Sequence, residues 1–233
     1  GVAIADVTTD GELTAGADGH WTMRARLGGR TSRILNEGAS SLFGGNATAA
    51  MRMEYGSAGV FRFDRLRLNA PRFRILSGMG SFTANGPLQA RADAWSADYG
   101  PLSARLSGNV ARPELVLRAA RPGAGVGLRD LVARVRGDRG AFAVDAAGDT
   151  DYGPFRADLG IDTRAAMRVD IRSGRFAGMN LGGQLFRTGA GPFEGNMTFA
   201  GSGVNGRAQL SAMGDVQHAV VRARAADAAI PGS

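Results

Sequence analysis

A glycine-rich segment near the end of the chain is the pattern closest to a known chemical motif. Residues 201–206, Gly-Ser-Gly-Val-Asn-Gly, have the GxGxxG spacing of a dinucleotide-binding loop, and Asp227 follows at about the expected distance. In such a site the segment opens a helix whose N-terminus faces the pyrophosphate. Here Ala208, Leu210 and Ala212 instead alternate with polar residues, as in a strand. The segment is therefore predicted to be a turn.

The other candidate groups do not form a recognisable site. His20 and His218 have no neighbour of metal-ligand type, and Asp149-Thr150-Asp151 lacks the fuller oxygen spacing of a calcium loop. The chain has no cysteine, which excludes disulfides and thiolate metal sites. No nucleophile, base and acid stand in a triad-like set. We therefore expect no catalytic residues, no metal site and no cofactor, and a protein that is not an enzyme.

A repeated phrase indicates the architecture. Residues 99–106, Tyr-Gly-Pro-Leu-Ser-Ala-Arg-Leu, return at 152–159 as Tyr-Gly-Pro-Phe-Arg-Ala-Asp-Leu. Proline disfavours helix at the preceding glycine and lacks a backbone donor, so Gly-Pro favours the start of a strand. The strongest repeat units are predicted over 99–151 and 152–190, within one repetitive segment covering 1–233.

Strict alternation after the second phrase predicts a hairpin. Residues 155–161 alternate apolar and polar side chains, residues 167–171 do so again, and Thr163-Arg164-Ala165 joins them. Such a pair has one apolar and one polar face. Similar runs recur along the chain, so we expect an all-β fold: about 16–18 strands in an elongated, mostly antiparallel sheet, curled into a trough with an apolar interior.

Several local departures from this pattern are also predicted. The alternation slips by one residue at Asp64-Arg65 and at Arg129-Asp130, which predicts bulges or strand breaks there. Residues 32–43 favour one short helix packed against the sheet. Asp10-Gly11 and Asp18-Gly19 are typical turn dipeptides.

The distribution of charged residues indicates which kinds of partner the chain could bind. The chain carries a net charge of +7, and all 28 of its basic residues are arginine. The aromatic residues alternate with these arginines and so lie on the opposite face, unlike the stacking groove of a single-strand binder, and we expect no nucleic-acid partner. Arginine columns on the outer face serve solubility and edge protection, or attract anionic head groups or an acidic partner. They comprise Arg62, Arg65, Arg67, Arg72, Arg74, Arg134, Arg136, Arg222 and Arg224.

The chain resembles the TamB family, the inner-membrane component of the bacterial translocation and assembly module, related to the AsmA-like group. The resemblance rests on the Tyr-Gly-Pro repeats, on Arg112-Pro113-Glu114-Leu115-Val116-Leu117 and on Val126-Gly127-Leu128-Arg129-Asp130-Leu131. It implies a β-taco that carries phospholipid across the periplasm and supports outer-membrane protein assembly. It also implies a TamA-like barrel partner, reached through the full-length protein, and membrane contact through parts outside this segment. The chain is thus expected to be a fragment of a larger, inner-membrane-anchored periplasmic protein of a Gram-negative bacterium.

The residues expected to line a lipid groove are the apolar members of the alternating runs. They are Trp21, Met23, Leu27, Phe61, Phe63, Leu66, Leu68, Phe73, Ile75, Leu102, Leu106, Leu115, Leu117, Leu128, Leu131, Val135, Phe142, Val144, Phe155, Leu159, Ile161, Met167, Val169, Ile171, Phe176, Leu181, Leu185, Met197, Phe199 and Leu210. Three alternatives remain open. A closed sandwich or solenoid module of a surface or secreted protein would have a dry, packed interior and no bound lipid. A soluble lipid-binding barrel would hold one ligand, and a membrane-embedded barrel would carry aromatic girdles.

Overall fold

The computed structural model describes residues 2–34, 40, 42–122, 126–187, 192–201, 203–214 and 216–225. It confirms the all-β class. Sixteen strands follow one another in chain order within an antiparallel sheet, each hairpin leading to the next. The chain divides into two compact units, Gly1–Gly123 and Ala124–Ser233, which are described separately below.

The first unit contains eight strands. They are β1 (Val2–Ala15), β2 (Trp21–Ile34), β3 (Thr48–Gly56), β4 (Val60–Asn69), β5 (Phe73–Thr83), β6 (Leu88–Ser96), β7 (Gly100–Gly108) and β8 (Pro113–Ala119). Half of the predicted helix near 32–43 lies outside the described residues, and its first three residues belong to the end of β2. Ser40, Leu42 and Phe43 are helical, and the Gly44 N–H donates to the Ser40 carbonyl at 2.8 Å.

The second unit contains the other eight strands. They are β9 (Arg129–Asp138), β10 (Ala141–Thr150), β11 (Gly153–Asp162), β12 (Met167–Phe176), β13 (Met179–Arg187), β14 (Glu194–Gly201), β15 (Val204–Met213) and β16 (Val216–Ala225). The predicted hairpin is present, since residues 163–166 connect β11 to β12. The GxGxxG segment spans the end of β14 and the start of β15, so it leads into a strand and not a helix.

The repeated phrase starts a strand in both places, as predicted. Gly100-Pro101 opens β7 and Gly153-Pro154 opens β11. Both glycines have positive φ, 65° and 107°, a region that favours glycine because it has no Cβ. A buried hydroxyl closes each turn. Ser96 accepts from the Asp98 N–H at 3.2 Å, and Thr150 accepts from the Tyr152 N–H at 3.2 Å.

The two predicted phase slips are bulges. Between Ala50 and Arg52 of β3, one residue faces two on β4, and Arg65 has φ 51°. Between Ala147 and Asp149 of β10, one residue faces two on β9, and Asp130 also has φ 51°. The extra residue absorbs the slip, so Phe63 and Leu66 stay on one face although their spacing is odd.

One turn prediction is wrong and one is confirmed. Asp18-Gly19 lies in the turn between β1 and β2, with Gly19 at φ 80°. Asp10-Gly11 instead lies inside β1, where Asp10 pairs with Arg26 and Gly11 with Ala25. Strand pairing outweighs the local turn preference here. A Cβ on Gly11 would lie 2.7 Å from the Arg24 carbonyl oxygen. Glycine at this position therefore allows β1 and β2 to approach each other closely.

Candidate functional site: two chemically distinct faces

Register decides which side chains share a face, because directly paired residues project to the same side of a sheet. In the first unit one row across the strands is largely apolar. It reads Leu13, Met23, Tyr55, Phe61, Phe82 and Leu88. Aromatic contacts reinforce it: the Phe61 and Phe82 ring centroids lie 5.0 Å apart, and those of Trp21 and Tyr55 lie 5.7 Å apart.

The second unit has the same kind of row. It reads Val135, Val144, Leu159, Ile171, Gly183, Met197, Ala208 and Val221. A neighbouring row reads Phe142, Ile161, Val169 and Leu185. Each unit therefore presents an apolar face several strands wide.

The predicted lining residues lie in such rows within their own unit. Near the bulges, Leu66 lies against Gly78 and Leu128 against Gly148, where an added Cβ would meet them at 3.1 Å and 3.2 Å. All of the predicted residues are half-buried except Trp21, which is 37 % exposed. None of them reaches the burial of a packed core residue.

The set of buried residues also shows that the large apolar side chains of the described ranges do not form a packed core. Among the described residues, the buried hydrophobic side chains are the small ones of Ala47, Ala70, Ala94 and Ala119. Large apolar side chains ordinarily fill a protein interior at close-packed density. The described part of this chain thus leaves its large apolar side chains partly open to solvent.

Glycines on the apolar face do not leave simple gaps. A Cβ on Gly80 would lie 2.7 Å from the Phe63 ring, and a Cβ on Gly206 would lie 2.5 Å from the Phe199 ring. Neighbouring aromatic rings therefore cover these backbone positions, as in the aromatic rescue of strand glycines.

The opposite face carries ion pairs. In the first unit Glu54 accepts from Arg24 at 3.0 Å and from Arg62 at 3.2 Å. The Arg24 hydrogen bond is the main cause that lowers the pKa of Glu54, and Glu54 in turn raises the pKa of Arg24. Three adjacent strands, β2 to β4, are joined by this cluster.

In the second unit, acids and arginines also pair across strands. Arg136 contacts Asp145 at 2.8 Å and Arg172 contacts Asp158 at 2.9 Å. Hydrogen bonding from Arg164 lowers the pKa of Asp162 to about 2, and hydrogen bonding from Gln184 lowers the pKa of Asp170. None of these groups is fully buried, so they organise the polar face without forming a buried site.

A concavity of about 1120 Å³ lies in the first unit. It is lined by three-residue stretches on β1 to β7, such as 24–26 on β2 and 89–91 on β6. The first and third residues of each stretch are on the polar face. The nearest apolar-face residues on either side of a stretch, such as Met23 and Leu88, do not line the concavity. The concavity therefore opens on the polar face, and of the predicted groove residues it touches only Phe63 and Leu106.

Sequence reasoning missed one feature of this polar face. Within the described strands, arginines lie directly opposite one another in four cross-strand pairs, two on the polar face of each unit: Arg26 with Arg52 and Arg91 with Arg105, then Arg156 with Arg175 and Arg207 with Arg222. The arginine columns were visible along each strand. The pairs across strands depend on register, which the sequence does not state.

Within the described ranges, no three His, Cys, Asp or Glu side chains are grouped as metal ligands. The same ranges contain no helix with the length and apolarity needed to cross a membrane.

Comparison with known proteins gave no match: no protein-family model, no curated protein and no solved structure is significantly similar to this chain.

Proposed function

We propose that the apolar face holds phospholipid acyl chains and forms part of a hydrophobic conduit between two membranes. One observation carries the proposal. Most of the large apolar side chains of each unit, including the predicted lining residues, lie on one face of that unit and stay partly exposed. Apolar surface left in water has a free-energy cost, and covering it with hydrocarbon removes that cost.

The free energy needed to expose an acyl chain to water is large enough for an apolar face to matter in lipid transfer. Burying one methylene contributes about 0.8 kcal/mol, so moving a whole acyl chain through water costs roughly 10 kcal/mol or more. A continuous apolar strip removes most of this barrier because the chain stays in contact with hydrocarbon. The polar face, with its paired acids and arginines, keeps the other side of the sheet hydrated.

The resemblance to the TamB family supports the same role. In this proposal the chain is a periplasmic segment of a longer, inner-membrane-anchored protein. It supports outer-membrane biogenesis together with a TamA-like barrel protein. The Tyr-Gly-Pro phrases that carry the resemblance open strands β7 and β11, where the apolar face continues through Leu102 and Phe155.

Native mass spectrometry of the protein purified from a Gram-negative host tests the proposal. We expect co-purified phospholipid on the wild-type chain and its loss in Leu159→Asp and Val169→Asp, because a carboxylate on the apolar face is incompatible with an acyl chain. Ala147→Asp is the matched control, since Ala147 is exposed and pairs with Arg156 on the opposite face. Circular dichroism verifies that each variant is folded.

A wild-type protein that carries no phospholipid would instead favour the structural sandwich or solenoid module. Equal lipid loss in the folded Ala147→Asp control would also contradict the assignment of faces.

A further inference from the structure

Two of the like-charged arginine pairs lie in the first unit. Arg91 of β6 is directly opposite Arg105 of β7, and Arg26 of β2 is directly opposite Arg52 of β3. Like charges facing each other across a sheet destabilise it. A sequence with other residues at these positions would avoid that cost, so the pairs need an explanation beyond folding.

These four arginines form no ion pairs with protein acids among the described residues. The Arg91–Arg105 pair has Met79 and Val116 as its next neighbours across the sheet, and neither can compensate charge.

The acids nearest the other pair are differently placed. Asp10 and Asp64 lie opposite Arg26 and Arg52 in register, without closing to an ion pair within the described residues. Asp64 is 4.0 Å from Arg65. Glu54 is already held by Arg24 and Arg62.

All four guanidinium groups belong to residues that line the 1120 Å³ concavity of the first unit. A volume of this size admits a small-molecule anion. The concavity opens on the polar face, so an anion there stays hydrated and does not compete with an acyl chain on the other face. Charge and shape thus coincide at one place.

From this coincidence we propose that the concavity binds a phosphate-bearing ligand at the Arg91–Arg105 pair. Guanidinium groups are planar, always charged, and donate two parallel hydrogen bonds to phosphate oxygens. Two arginines held side by side can share one phosphate. The ligand's negative charge removes the repulsion within the pair.

This site is separate from the proposed acyl-chain surface. Its ligand is either a soluble phosphate compound or the phosphate of a lipid head group at a membrane surface. Loss of one function does not entail loss of the other, because the two faces are altered by different substitutions.

Isothermal titration calorimetry with sodium pyrophosphate, at low ionic strength in a phosphate-free buffer, tests the site. We expect binding to the full chain, weakened about tenfold for each arginine removed in Arg91→Gln and Arg105→Gln, since hydrogen bonds to charged groups are of that strength. The matched control is Arg67→Gln with Arg118→Gln. Both are exposed, lie outside the concavity and remove the same charge.

A flotation assay with vesicles separates the two sources of phosphate. Vesicles of phosphatidylcholine alone are compared with vesicles that also contain phosphatidylglycerol. Pyrophosphate binding without vesicle binding identifies a soluble ligand, and vesicle binding sensitive to Arg105→Gln identifies a lipid head group. Binding of neither probe, or equal weakening in the Arg67/Arg118 control, overturns the proposal.

Stability provides a second readout. Without ligand, Arg105→Gln should melt at the same temperature as the wild type or higher, because it removes a repulsion. A lower melting temperature would show that the pair supports the fold, and would overturn the proposal.

Discussion

Asp162 illustrates how single residues stabilise the turns of this sheet. Its carboxylate ends β11 and accepts hydrogen bonds from the backbone N–H of Arg164 and from Arg164 Nε, both at 3.0 Å. These contacts lower the pKa of Asp162 from 3.8 to about 2. The Asp162 carboxylate therefore helps to stabilise the turn between β11 and β12.

The depressed pKa predicts a dependence of stability on acid. A carboxyl whose pKa is lower in the folded state stabilises that state above its unfolded pKa, near 3.8, and this contribution is lost as the pH falls through about 2. Asp162→Asn should therefore lower the melting temperature at neutral pH, with a difference that shrinks as the pH falls from about 4 to 2.

Thermal unfolding followed by circular dichroism across this pH range checks the prediction. Asp149→Asn is the control, since Asp149 is exposed and forms no ion pair among the described residues. A deficit in Asp162→Asn that stays constant down to pH 2 would show that the carboxylate's charge is not responsible.

At the scale of the strand, bulges keep the apolar side chains on one face of the sheet where the alternation slips by one residue. Arg65 has φ 51°, a left-handed conformation that costs a non-glycine residue about 1–2 kcal/mol. Arg67 lies two residues later on the same strand in ordinary extended geometry. The two positions have the same side chain and opposite backbone preferences.

This contrast predicts opposite effects of glycine. Arg65→Gly should stabilise the protein by about 0.5–1 kcal/mol, because relief of the strain exceeds the added chain entropy. Arg67→Gly should destabilise it by a similar amount, since there the entropy is the only change to the backbone. Guanidinium chloride unfolding measures both. If the two variants lose the same stability, Arg65 is not strained.

The bulges also show what sequence can and cannot predict. At Asp64-Arg65 and Arg129-Asp130 apolar residues lie on both sides of the slip, so the change of phase was visible. At β12 two residues, Arg172 and Ser173, stand between Ile171 and Gly174 where β13 has only one. Polar residues and a glycine do not show which face the apolar residues occupy. The sequence therefore could not predict this bulge.

At the scale of the whole chain, the alternation predicted the fold class and the common facing of the apolar residues within each unit. Strict period-two patterns allow only one assignment of faces, as at 155–161. The arginine pairs and the polar concavity could not be predicted. They depend on which strand residues stand opposite each other, and thus on turn lengths and bulges.

The central claim is that one face of the sheet contacts lipid and the other does not. Adjacent residues of β11 test this difference most directly. Phe155 pairs with Gly148 on the apolar face, whereas Arg156 pairs with Ala147 and Arg175 on the polar face. A photo-crosslinking amino acid is placed at one position or the other, and covalent lipid adducts are measured by mass spectrometry. Adducts at Phe155 and none at Arg156 are the predicted result, and equal labelling at both positions, or at neither, would contradict the account.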